Sequence, residues 1–158
     1  MTVSFFTRPI TMVLCGALVL ILTSLAGASA TAQSQGGNVL CSGLPCTVGL
    51  TIDKRGNLYT AEPSTGHVFC IPPDTSPILL AKVTGRPTAV AVDRLRNVFV
   101  GTESGVIYLV TLDGSVSKAH TLGCSPVSIV IDRDGGLIIA TNDGQIVTVK
   151  RSDLVIQQ

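Results

Sequence analysis

From Pro45 onward the apolar residues fall into short runs of four to seven, broken by glycine, proline, asparagine and aspartate, and they do not recur at intervals of three and four. Such a pattern predicts strands joined by tight turns and no helices. Three of the runs are alike. The stretch TIDKRGNLYTAE, Thr51 to Glu62, returns as AVDRLRNVFVGTE and again as VIDRDGGLIIATN. Superposed on Asp53, Asp93 and Asp132, the copies lie 40 and 39 residues apart, which is the length of a supersecondary unit.

Each unit opens on a proline and an apolar strand that ends in aspartate: PCTVGLTID from Pro45, PTAVAVD from Pro87 and PVSIVID from Pro126. A turn follows (KRGN, RLRN, RDGG), then a second strand (LYTAE, VFVGTE, LIIATN) and a second turn that reaches Gly66, Gly105 or Gly144. The third strand is HVFCI, VIYLV or QIVTV. A looser fourth, PILLAKV or SVSKAHTL, leads to the next proline, and NVLCSG, Asn38 to Gly43, takes that place ahead of the first unit. The chain is therefore expected to be all-β, with three four-stranded antiparallel units. The first strands are apolar at nearly every position, so burial on both faces is expected. A repeated four-stranded unit of this length, most buried at its first strand, meets the requirements of a propeller blade.

With its proline, its V-D-x-x-G-N turn, its aromatic second strand and its later glycine, the repeat resembles the NHL-repeat, gluconolactonase-like and streptogramin-lyase-like group of β-propellers, over Asn38 to Lys150. In the enzymes of that group the resemblance implies acidic, Asn or His groups gathered around the axis from several blades, holding a divalent metal or acting as a general base. Glu62, His67 and Glu103 are the local match, as candidate catalytic residues for a metal-dependent lactonase- or lyase-like enzyme active only in an assembled ring. Read from the residues alone, these are ordinary turn residues: the chain has two histidines, His67 and His120, and no G-x-S-x-G nucleophile motif. The aspartates of the first turns read as acceptors for backbone amides, with Gly or Asn supplying positive φ, because a calcium loop needs further oxygen ligands and a closing Glu. No cofactor is expected, with a divalent metal as the alternative that goes with the enzyme reading.

Propellers hold four to eight blades, so three must be completed. Two copies give a six-bladed ring through an isologous pair of junctions, and a monomer docked on another protein solves the same problem. SDLVIQQ, Ser152 to Gln158, is expected to staple that junction or to begin a fourth strand. Successive hairpins alternate ends, which puts the second turns on one face. Glu62, His67, Glu103, Asn142 and Asp143 are the candidate binding residues there.

Ahead of the repeats, Met1 to Ala30 has one cation, Arg8, no acid, an apolar run from Ile10 to Ala26, and small residues at Ala28, Ala30 and Ala32. This reads as a secretory signal peptide, with an uncleaved membrane anchor as the alternative. Residues 31–37 then form a linker and 38–158 the repeat domain. The whole chain carries a formal charge of +1, and without Arg8 the charges balance. A balanced chain with few aromatics and no basic block gives nucleic-acid binding no support. Export also makes two disulfides the expectation for Cys41, Cys46, Cys70 and Cys124, with three pairings open. Cys41 with Cys46 is the first choice, and Cys124 is placed to bridge two subunits. C-x4-C followed by distant single cysteines is no zinc-finger pattern. The sequence thus points to a secreted or periplasmic binding or scaffold protein, a homodimer or an accessory subunit of a periplasmic or membrane-side complex, with membrane contact only through the N-terminal segment.

Overall fold

The structure, a computed structural model, describes residues 39–155. The expected signal helix, the whole linker, Asn38 and the last three residues lie outside the described residues. Eleven strands follow one another: β1 (Val48–Ile52), β2 (Leu58–Ala61), β3 (His67–Ile71), β4 (Ile78–Lys82), β5 (Pro87–Val92), β6 (Val98–Thr102), β7 (Val106–Val110), β8 (Val116–Thr121), β9 (Pro126–Ile131), β10 (Leu137–Thr141) and β11 (Ile146–Val149), with one 3-10 turn at Arg151–Asp153. They form three antiparallel meanders in chain order, β1-β2-β3-β4, β5-β6-β7-β8 and β9-β10-β11. The three units are the repeats, and their first strands lie side by side, β1 against β5 and β5 against β9.

The aspartate hairpins explain why each repeat folds as it does. Asp53 Oδ1 accepts the amides of Arg55 (2.8 Å) and Asn57 (2.9 Å), and its Oδ2 accepts Asn57 Nδ2 at 2.7 Å and the Tyr59 hydroxyl at 3.1 Å. Asp93 does the same with Leu95 and Asn97, and Asp132 with Asp134 and Gly136. One carboxylate thereby satisfies the amides that a two-strand reversal leaves unpaired. The third turn residue has positive φ at Gly56 (85°) and Gly135 (83°), as expected, but in the middle repeat the position is Arg96, at 69°.

Alternation along the strands builds two separate cores. Tyr59, Ala61 and Val68 of the first sheet meet Val90, Val98, Val100 and Val110 of the second. On the other side of the second sheet, Ala89, Ala91, Phe99, Ile107 and Leu109 meet Ile129, Leu137, Ile139 and Val149 of the third. β5 therefore serves both cores, Val90 turning one way and Ala89 and Ala91 the other. Close approach is required on the second side: a Cβ added at Gly101 would stand 2.5 Å from Pro126 Cγ. Thr88 Oγ1, donating to Pro126 O at 2.6 Å, ties β5 to β9 at the same level.

Three expectations need correction. Burial of the first strands on both faces holds for β5 alone, because β1 and β9 each have a neighbouring sheet on one side only: Leu50 is 69% exposed and Val130 58%. The third sheet has three strands among the described residues instead of four. After β11 the chain makes its 3-10 turn, Leu154 enters the core between the second and third sheets, and the Val155 amide donates to Ala119 O of β8 at 2.9 Å. Finally, NVLCSG forms no strand over its described residues, Val39 to Gly43. In the two complete sheets the equivalent segment is a strand because a third strand lies beside it to pair with.

Candidate binding face

The turns β2–β3, β6–β7 and β10–β11 carry the residues singled out from the sequence. Glu62 closes β2: its amide donates to His67 O at 2.8 Å and its carbonyl accepts from the Gly66 amide at 3.0 Å. Its carboxylate, expected in solvent, is only 8% exposed as a residue because the turn folds over it. Ser64 Oγ donates to Oε1 at 2.5 Å and Thr65 Oγ1 to Oε2 at 2.7 Å, while His67 Nδ1 lies 3.7 Å from Oε2. The hydroxyls of Ser64 and Thr65, and the adjacent imidazole, hold the Glu62 carboxyl below its ordinary value of 4.5, against the opposing effect of burial.

Glu103 stands apart from this pair. It is exposed in the next repeat, and its nearest charge is Arg86 NH1 at 4.0 Å, equally exposed. In the third repeat, Asn142 is part of the link to the preceding sheet: its amide donates to Ser125 O at 2.9 Å and its Oδ1 accepts the Ser125 amide at 3.1 Å. Asp143 accepts Thr141 Oγ1 at 2.5 Å and Gln145 Nε2 at 3.1 Å. The Thr141 hydroxyl, followed by the Gln145 amide and the Cys124 thiol, holds its carboxyl below 3.8. Of the candidates, the structure thus brings together Glu62 and His67 and no third member. Among the described residues, no group of three or more His, Cys, Asp or Glu stands close enough to hold a metal ion. Ser64 and Thr65, which set the state of Glu62, were not singled out from the sequence, although S/T within three residues of a turn carboxylate is a signal for such capping.

The cysteines lie where the repeats placed them, and all four described ones carry free thiols. Cys41 Sγ points to Ser42 O at 3.7 Å. Cys70 faces the first core beside Tyr59, and burial pushes its thiol up. Burial likewise pushes the Tyr59 hydroxyl up, reinforced by Cys70 and by Asp53, whose carboxylate it donates to.

Both outer sheets also present apolar surface. On the outer side of the first sheet, Val39, Leu40, Cys41, Leu44, Leu50, Leu58 and Ile71 border an open groove of about 540 Å³. On the outer side of the third sheet, Val130, Ile138 and Ile146 (76% exposed) stand on adjacent strands, Ile138 directly opposite Val130 and Ala140 opposite Ile146. These positions are the repeat counterparts of the core residues Ala91, Phe99 and Ile107, so sequence position alone marks them as a core face.

No protein-family model and no curated protein matches the chain. Solved structures do. The chain is similar to the WD40 β-propeller domain of Doa1 (17% identity, TM-score 0.60, 74% of this chain and 42% of that one). It is also similar to a catalytically inactive virginiamycin B lyase from Staphylococcus aureus with quinupristin (18%, 0.53, 68% and 43%). A third is regucalcin, a calcium-binding protein from Agrobacterium tumefaciens (12%, 0.51, 60% and 37%). At these identities the likeness is one of fold, and it bears out the propeller blades that the repeat implied. The chain spans about two fifths of the length of the propellers it matches.

Proposed function

We propose that this chain of propeller blades is an exported binding or scaffold protein whose ring is completed by a second copy, as a six-bladed homodimer. The observation that carries the reading is the pair of uncovered apolar faces, one on each outer sheet, at positions that are core wherever a neighbouring sheet exists. Exposed apolar surface of this extent in a finished molecule marks an interface. Docking as an accessory subunit of a periplasmic or membrane-side complex would cover the same faces by other means. Met1 to Ala30 supports export, to the periplasm or outside the cell, with the anchored form as the alternative; in an oxidising compartment Cys41 and Cys46 would pair. The turns carrying Glu62, His67, Glu103, Asn142 and Asp143 would then recur twice around one rim of the ring and offer the ligand-binding surface.

Size-exclusion chromatography with light scattering on the mature chain tests the reading. A mass of twice the chain supports the ring, a soluble monomer calls for a different partner, and aggregates would mean that the faces never close. The rival reading, a metal-dependent lactonase or lyase, takes its support from the Glu62–His67 pair alone. It would show as heat on titrating the chain with Ca²⁺ or Mn²⁺ that disappears in Glu62→Gln. The homodimer reading expects no such heat.

A further inference from the structure

Resting on the homodimer reading, and going beyond it, we infer that the two copies are locked by strand exchange: Val39 to Gly43 of one copy pairs with β11 of the other as its missing fourth strand.

The two complete sheets show what such a strand does. At each, the residue two or one before a glycine reaches back to the glycine that opens the third strand: the Val83 amide donates to Gly66 O at 2.9 Å, and the Leu122 amide to Gly105 O at 2.8 Å. The incoming strand also crosses directly over those glycines. A Cβ at Gly66 would lie 2.4 Å from Val83 O, and one at Gly105 would lie 2.5 Å from Leu122 O. Gly144 is the third member of this set, with the same backbone, φ 84° against 78° and 82°. A Cβ there meets nothing within 4 Å, and Gly144 O accepts no amide among the described residues. The third sheet thus keeps the receptor for a fourth strand at a place where none crosses. The chain's own C-terminal side does not supply it up to Val155, whose amide is committed to Ala119 of the second sheet.

The donor lies at the other end of the molecule. The sequence S-G-L-P at Ser42–Pro45 repeats T-G-R-P at Thr84–Pro87, which joins a fourth strand to the next sheet. Gly43 (φ 81°) and Gly85 (φ 94°) share the left-handed turn between them. By this alignment Cys41 is the counterpart of Val83. It also sits where Val83 sits: Val83 packs on the face of the second sheet that turns toward the first, and Cys41 borders the equivalent face of the first sheet, near Leu50 and Leu58. Val39 and Leu40, 74% and 82% exposed, line the same groove as Cys41, in the place of a fourth strand that has no third strand beside it among the described residues. A second copy brought in with Val130, Ile138 and Ile146 over Leu50 and Leu58 would supply one. The Cys41 amide would then reach Gly144 O, and Val39 would stand opposite Ile146. Both junctions of the dimer are made in this way, and the pairing fixes the register that apolar contact alone leaves loose.

The test uses the mature chain and two variants. Cys41→Pro removes the donating amide and lies outside every sheet. Gly144→Asn keeps the left-handed backbone that Asn tolerates and puts a Cβ in the path of the crossing strand. Dimer dissociation is followed by light scattering over a dilution series, with a thermal melt on each variant. Strand exchange predicts that each variant weakens the dimer at least tenfold while melting as a folded protein, and that mixing the two restores a pair held by its one intact junction. A wild-type dimer that neither variant weakens overturns strand exchange and leaves the ring reading in place. A dimer weakened instead by deleting residues 156–158 overturns it in favour of the chain's own tail. A wild-type monomer at every concentration overturns the ring reading and this inference together.

Discussion

Asp53, Asp93 and Asp132 hold the same turn, yet they do not hold it equally. Asp53 takes the additional hydroxyl of Tyr59, a residue with no exposed surface, so truncating it strands a buried donor as well as two backbone amides. Asp53→Ala should cost about 3 kcal/mol in denaturant unfolding and Asp93→Ala about 2, from the loss of four and three hydrogen bonds to a charged acceptor respectively; equal costs would remove the Tyr59 hydroxyl from the account. Burial tends to raise the Asp53 carboxyl, but the side chain and amide of Asn57, the Arg55 amide and Tyr59 outweigh it and hold the group below 3.8. A depressed carboxyl contributes stability that is fully present above its unfolded value and is lost as pH falls through the folded one. The difference between wild type and Asp53→Ala should therefore be constant from neutral pH down to the carboxylate range and shrink below 3.8. Arg96 is the residue at which the turn departs from its pattern. The sequence R-L-R-N offers neither Gly nor Asn at the third position, so the left-handed backbone is imposed by the Asp93–Asn97 frame on either side of it. Arg96→Gly should raise stability by about 0.5 kcal/mol, the relief of αL strain less the entropy of glycine; a loss would mean that the arginine side chain contributes contacts that offset the strain.

At the scale of elements, all eleven strands belong to a pattern that could be read directly from the chain, because alternation and turn chemistry are local. What could not be read is anything that depends on which sheet stands next. β1, β5 and β9 look equally apolar, and only β5 is buried on both sides. NVLCSG reads as a fourth strand and is none over its described residues, Val39 to Gly43, since a strand needs a partner ladder as well as a sequence. The candidate site divides the same way. The turns carrying Glu62, His67, Glu103, Asn142 and Asp143 were legible, whereas the burial of Glu62 under Ser64 and Thr65 and the separate pairing of Glu103 with Arg86 come from how each turn folds back. The contact between neighbouring sheets is sensitive at one point above others. Gly101→Ala places a methyl 2.5 Å from Pro126 Cγ and should destabilise the chain by about 2 kcal/mol, an overpacking cost. Ala140 occupies the same repeat position on the outer sheet, and Ala140→Val should leave the unfolding of an isolated monomer within about 0.5 kcal/mol of wild type, as expected for a surface change; parity of the two substitutions would show that the third sheet is already covered.

For the whole molecule, three stacked sheets end in two faces that the repeat builds as core and that no neighbouring sheet of this chain covers among the described residues. Val130, Ile138 and Ile146 are the counterparts of residues that fill the second core, and Leu50, Ile52 and Leu58 of residues that receive them. A head-to-tail pair joins one such face to the other twice, which is why a single kind of junction closes a ring. The most direct measurement is a photo-crosslinker placed at Ile138 in ¹⁵N-labelled chain, irradiated with an equal amount of unlabelled chain and read by mass spectrometry after trypsin. The account predicts links from labelled Ile138 to the unlabelled peptide that ends at Lys54 and contains Leu50 and Ile52. Links confined to a chain's own peptides, or to the β10 peptide of the second copy, would contradict it.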